Sequence, residues 1–142
     1  SFDTYDYHLR DIVTIDGQTA FVISFKQKQW VTEPLMQGDI YVNVDNYSVM
    51  LAEFEVNPLY VDQTGESFIS RLPKDYTMKP EYVRYRTRYR NVDGRYYLSH
   101  VRGDLGFMAR GRKKVFSSRF NIFFELAITE HRTDNVARFD HE

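Results

Sequence analysis

The chain has 142 residues, a formal net charge of −1, eleven Tyr, eleven Phe and no cysteine. That length suits one domain with a sizeable core, and the missing cysteines exclude disulfides, thiolate metal sites and a cysteine nucleophile. No apolar run is long enough to cross a bilayer as a helix, no signal peptide opens the chain, and the first residue is Ser. The sequence is therefore expected to be mature or excised from something longer.

Period-2 alternation dominates from the start. Tyr5 to Ile15 sets Tyr5, Tyr7, Leu9, Val13 and Ile15 against polar neighbours, and Asp16-Gly17 supplies a tight hairpin turn. Thr19 to Lys26 follows with Phe21, Ile23 and Phe25 on one face; Ala20 and Val22 on the other imply cover on both sides. Gln27 to Gly38 breaks the rhythm and carries Trp30, Val31, Leu35 and Met36 around Pro34, an apolar insert too long for a simple hairpin loop. A second hairpin runs from Asp39–Val44 to Val49–Asn57. In its second strand Met50, Ala52, Phe54 and Val56 point one way, and Leu51, Glu53 and Glu55 the other. Thr64 to Leu72, with Phe68 and Leu72 at i, i+4 and Pro73 behind, reads as a short helix.

A third hairpin follows. Glu81 to Asn91 places Arg84, Arg86, Arg88 and Arg90 in a row on one strand face, with Val83, Tyr85, Thr87 and Tyr89 on the opposite one. Asp93-Gly94 turns the chain into Arg95–Gly103, and Gly103, Gly106 and Gly111 are expected to loosen the stretch around Phe107-Met108. Ser118 to Glu130 presents Phe120, Ile122, Phe124, Leu126 and Ile128 as an apolar stripe, and the tail from His131 is polar and expected to fray. The class is mainly β. About seven or eight antiparallel strands form a strongly curved sheet or half-open barrel, with one or two short helices or inserts on the concave face, in a single domain over 1–142.

The small net charge hides an asymmetry. Gln29 to Ser70 holds seven acidic residues and no Lys or Arg, whereas Arg84 to Arg119 holds eleven basic residues against Asp93 and Asp104. One reading is a polyanion partner bound by Arg84, Arg86, Arg88, Arg90 and Arg102, whose guanidinium forks suit phosphates and carboxylates. The other, preferred, is that acidic strands lie beside basic ones and the charges pair across the sheet, since sequence neighbours tend to be sheet neighbours. Tyr85 and Tyr89 fall on the face opposite the arginines. Base stacking and phosphate contact would not coincide, so nucleic acid is not expected.

Tyr-Asp-Tyr-His-Leu-Arg-Asp (5–11), Asp-Gly-Gln-Thr-Ala-Phe-Val-Ile-Ser-Phe-Lys (16–26) and the segment 38–55 around Asp45-Asn46-Tyr47, with Val-Arg-Gly-Asp-Leu-Gly-Phe (101–107), Phe-Ser-Ser-Arg-Phe (116–120) and Glu-Leu-Ala-Ile-Thr-Glu-His (125–131), resemble a domain of Bacteroidota envelope proteins. In those proteins it lies downstream of a carboxypeptidase-regulatory-like β-sandwich, and the resemblance covers nearly the whole chain. More distantly, the strand–turn–strand around Asp45 is similar to hairpins of LolA-type periplasmic lipoprotein carriers. The first resemblance implies export, outer-membrane association and no catalytic residue to carry over. The second implies a half-open barrel plugged by helices and holding acyl chains.

Three functions follow as expectations. The first is a non-catalytic interaction or scaffold module in the periplasm or at the outer membrane, its partners being other domains of the same polypeptide or envelope proteins. The alternative is a carrier for an acyl chain or other apolar ligand, with Trp30, Leu35, Met36, Phe68 and Leu72 as lid. Least expected is a glycan hydrolase using Glu53 and Glu55, which a strand sets about 6–7 Å apart. Lipid and polyanion are the further candidate partners. No cofactor is implied and no metal is expected, since no HExxH or close His pair occurs; nor is there a nucleophile elbow or P-loop.

Overall fold

The computed structural model describes residues 4–65, 76–111 and 117–129. Seven antiparallel strands form one open sheet in the order of the chain: β1 (Tyr5–Ile15), β2 (Gln18–Gln27), β3 (Met36–Asn43), β4 (Val49–Val56), β5 (Tyr76–Val92), β6 (Arg95–Gly111) and β7 (Ser117–Ala127). Helical structure among the described residues is confined to a 3-10 turn at Val61–Gly65 and to Thr4, also in 3-10 conformation. The helix expected at Thr64–Leu72 overlaps the end of that turn; from residue 66 it lies outside the described residues, as do Phe68, Leu72 and the tail from His131.

Two tight turns set the registers of β1–β2 and β5–β6. Asp16-Gly17 and Asp93-Gly94 each place both central residues at positive φ (50° and 77°; 52° and 83°), the primed geometry that matches strand twist. Pairing then runs from Ile15↔Gln18 to Tyr5↔Gln27, and from Val92↔Arg95 to Tyr76↔Gly111. Four register shifts leave Arg10, Met50, Glu81 and Ser99 without direct partners, bulges that a reading by strict alternation does not anticipate.

The stretch expected to loosen after Gly103 is instead continuous β6. A Cβ at Gly103 would overlap the Phe124 ring, and one at Gly106 the Tyr82 ring. Each glycine is thus the floor on which a cross-strand aromatic lies, and ring cover replaces the missing side-chain packing. The β2–β3 insert is also ordered. The buried Gln27 amide donates to the carbonyls of Val31 and Glu33 (2.8 Å each) and accepts from the Leu35 N–H (3.2 Å). One side chain therefore satisfies three backbone groups of a loop that has no ladder of its own.

Buried hydrophobic side chains are few and small: Ala20, Val22, Val31, Leu51, Val56 and Val61, with Val22 the largest that is fully buried. Among the described residues no second layer lies against the sheet, whereas domains ordinarily pack two. The stripe at the end of the chain shows the consequence. Phe120, Ile122, Phe124 and Leu126 share one face but remain about half exposed, because β7 is an edge strand.

Candidate functional site

Directly opposed residues share a sheet face, so the registers assign every paired side chain to one of two faces. One face is polar. A single row crosses all seven strands through His8, Ser24, Asp39, Glu53, Arg86, Arg102 and Glu125. Arg86 donates to Glu53 through Nη2 (2.9 Å) and Nε (3.2 Å), and Arg102 donates to Glu125 (2.5 Å) and Asp104 (2.9 Å). At the other end Arg10 reaches from its bulge over β2 to Asp39 (3.1 Å), which also accepts from the Ser24 hydroxyl. A neighbouring row joins Arg84 to Glu55 (3.3 Å) and lays the Arg84 guanidinium 4.3 Å over the Tyr82 ring.

These charges line an open hollow of about 500 Å³ that includes Asp39, Glu53, Glu55, Arg84, Arg86 and Arg102. Hydrogen bonds and charge from Asp104 and Glu125 raise the Arg102 pKa, and Asp39 does the same for Arg10, so both stay cationic. Burial, with Glu53 beside it, raises the Tyr41 phenol; hydrogen bonds from Ser48 and Asn46 lower that of Tyr96. The carboxylates of Glu53 and Glu55 each accept from their own arginine, which leaves both engaged in cross-strand pairs.

The opposite face carries no Asp, Glu, Lys or Arg at any directly paired strand position. From β1 to β7 it presents Tyr7, Leu9 and Ile12; Phe21, Ile23 and Phe25; Ile40 and Val42; Ala52, Phe54 and Val56; Val83 and Tyr85; Val101 and Leu105; and Phe120 to Leu126 in alternation. Phe54 stacks on Tyr85 (centroids 5.5 Å apart) and Phe107 on Phe120 (5.4 Å). A hollow of about 400 Å³ opens on this face, lined chiefly by Met36, Val56, Pro80, Val83, Leu105 and Phe124.

The residues expected to form sites are divided by this geometry. Arg84, Arg86, Arg88, Arg90 and Arg102 share the polar face, with Arg84, Arg86 and Arg102 in ion pairs. Arg88 and Arg90 have no carboxylate partner among the described residues. Of the apolar lid, Met36 lines the apolar hollow, Leu35 is half-buried beside Gln27, and Trp30 is 68% exposed away from both hollows. Sequence reasoning missed Asp104 and Glu125 as arginine partners and Pro80, Val83 and Leu105 as lining. The Asp93-Gly94 turn signals the β5–β6 hairpin, but the bulges at Ser99 and Glu81 shift its register out of reach of counting. Compared with models of known families, with curated proteins and with solved structures, the chain gave no match.

Proposed function

We propose that this chain is a non-catalytic interaction module of a bacterial cell-envelope protein, periplasmic or associated with the outer membrane, working through the apolar face of its sheet. One observation carries the reading: a face seven strands wide, uncharged at its paired positions, with half-exposed hydrophobes at both edges (Tyr7, Leu9 and Ile12; Phe120, Ile122 and Leu126). Contiguous apolar surface of that extent marks a place where something else packs. The polar face supports the same reading from the other side, because its charges, including the pairs made by Arg10, Arg84, Arg86 and Arg102, leave that surface compatible with water.

A second reading rests on the apolar hollow. Its volume of about 400 Å³ falls in the range of small-ligand pockets (roughly 300–1,000 Å³), and its lining suits an acyl chain or another apolar molecule. Native mass spectrometry of protein purified from bacteria separates the two readings. A module whose face awaits a protein surface flies at its bare mass, and a carrier retains a lipid adduct that Val83→Trp, which fills the hollow, removes. An interaction module is refuted if Val83→Asp and Phe54→Asp leave unchanged both the binding of an apolar dye and association with the flanking parts of its polypeptide.

A further inference from the structure

The two outer strands are not equivalent. On β1 a bulge displaces Arg10, and Asp6, His8, Arg10 and Asp11 put charge or polarity along the edge, devices that discourage pairing with another strand. On β7 the pairing with β6 runs from Ser117 to Ala127 without a register shift, and the strand contains no proline. Its hydrophobes lie on both faces. Phe120, Ile122, Phe124 and Leu126 share the apolar face, and Phe123 is on the polar one, where the Arg102 guanidinium sits 4.6 Å from its ring centroid. Among the described residues no strand covers the outer side of β7.

We infer that a second copy of this chain covers it, β7 against β7, antiparallel, with Ile122 on the two-fold axis. The argument is charge complementarity within the strand itself. Arg119 and Glu125 are the only charged residues of β7, both on the polar face, and they stand three positions to either side of Ile122. In that register each Arg119 lies opposite Glu125 of the other copy, Phe120 opposite Phe124, and Ile122 opposite itself. Opposed residues of a pleated pair point the same way, so the apolar faces join into one surface and the polar faces do likewise. A slip of two residues sets Arg119 against Phe123 or Ala127. A slip of one turns apolar side chains of one copy toward the polar face of the other. Both ions keep room for the new contact: Arg119, 3.4 Å from Glu81 in its own chain, has a side chain 75% exposed, and that of Glu125 is 48% exposed. The inference concerns the edge and stands independently of what binds the apolar face.

Sedimentation velocity of the 142-residue chain, with cysteine cross-linking, tests it. The chain is expected to sediment as a dimer. Arg119→Glu alone or Glu125→Arg alone places like charges opposite each other twice per interface and weakens the dimer about tenfold, and the double exchange restores it. Glu81 and Arg102 still face the wrong charge in the double variant, so its thermal midpoint stays low while its dimer returns, which separates association from stability. Because the natural chain has no cysteine, Ile122→Cys in an otherwise native protein reports the register directly. Mild oxidation cross-links two copies at that position, whereas Phe124→Cys alone gives no cross-link and Phe124→Cys mixed with Phe120→Cys does. A monomer at concentrations up to about 0.1 mM overturns the inference. So does a dimer that Ile122→Cys fails to cross-link, as when copies stack through their apolar faces.

Discussion

Burial in this sheet separates inner strands from outer ones more sharply than it separates the two faces. Ala20 and Val22, both fully buried, and Leu51, 7% exposed, lie on the charged face, where Val22 is flanked by Asp11 and Tyr41 across its neighbouring strands. On the uncharged face Ile12, Ile122 and Phe124 are larger and are 48–56% exposed. Ala20, Val22 and Leu51 lie on the inner strands β2 and β4, which have a strand on either side, and so does Val56, 6% exposed on the uncharged face. Ile12, Ile122 and Phe124 lie on the outer strands β1 and β7, which have a strand on one side only and no second layer above them among the described residues. What decides burial here is whether a strand is flanked on both sides.

Several substitutions would break or sharpen that contrast. The largest effect is expected for Val22→Asp, which puts a carboxylate where no water reaches. Loss of several kcal/mol is expected, read as unfolding in circular dichroism at temperatures where the native chain is folded. Phe124→Ser, though it removes a larger hydrophobe, should cost only about 1 kcal/mol in urea denaturation, since roughly half of its burial gain is unrealised. A loss near that of Val22→Asp would mean that the apolar face is already covered in solution.

On the polar face a double-mutant cycle with Glu53→Gln and Arg86→Ala should return a coupling of about 0.2–1 kcal/mol that shrinks in 1 M salt, as for an exposed pair. The smallest effect is at alkaline pH. Tyr41 has its folded pKa raised above the ordinary 10.0, so the folded state holds that proton longer than the unfolded chain. Its stabilising contribution is complete below pH 10.0 and is lost as pH rises through the folded value. Tyr96 is lowered and acts in the opposite sense. Between pH 9 and 11 (about one unit either side of the ordinary phenol), Tyr41→Phe should flatten the fall of the urea midpoint and Tyr96→Phe should steepen it.

Much of the sheet is legible in the order of the residues. The Asp-Gly pairs at 16–17 and 93–94 mark hairpins because their geometry requires positive φ, and the alternation of Arg84 to Arg90 places those side chains on one face whatever surrounds them. The candidate site was legible only in part. Glu53 and Glu55 were readable as partners for the arginine row, because β4 and β5 are neighbours in sequence and in the sheet. Which acid meets which arginine was not, nor was the place of Glu125, since no Asp-Gly turn sets the β4–β5 or β6–β7 register. Asp104, two residues from Arg102 on the same face, was missed because the strand was expected to end at Gly103. Met36 also begins β3 earlier than its composition suggests, by pairing with Val56, a contact made in space and invisible to local pattern.

By itself the sequence determined the antiparallel β class, the two hairpin turns and which side chains share a face between bulges. These follow from the two-residue repeat of a pleated strand and from the steric demands of a tight turn, both of them local. The bulge at Arg10 moves Val13 and Ile15 to the face opposite Tyr5, Tyr7 and Leu9, with which the alternation had grouped them. Only the tertiary structure decided which rows of charge close into ion pairs, which glycines carry aromatic rings, and that the apolar stripe of β7 stays half exposed on an outer strand. Those outcomes depend on register and on the presence or absence of a covering layer, and both are properties of strands brought together from distant parts of the chain.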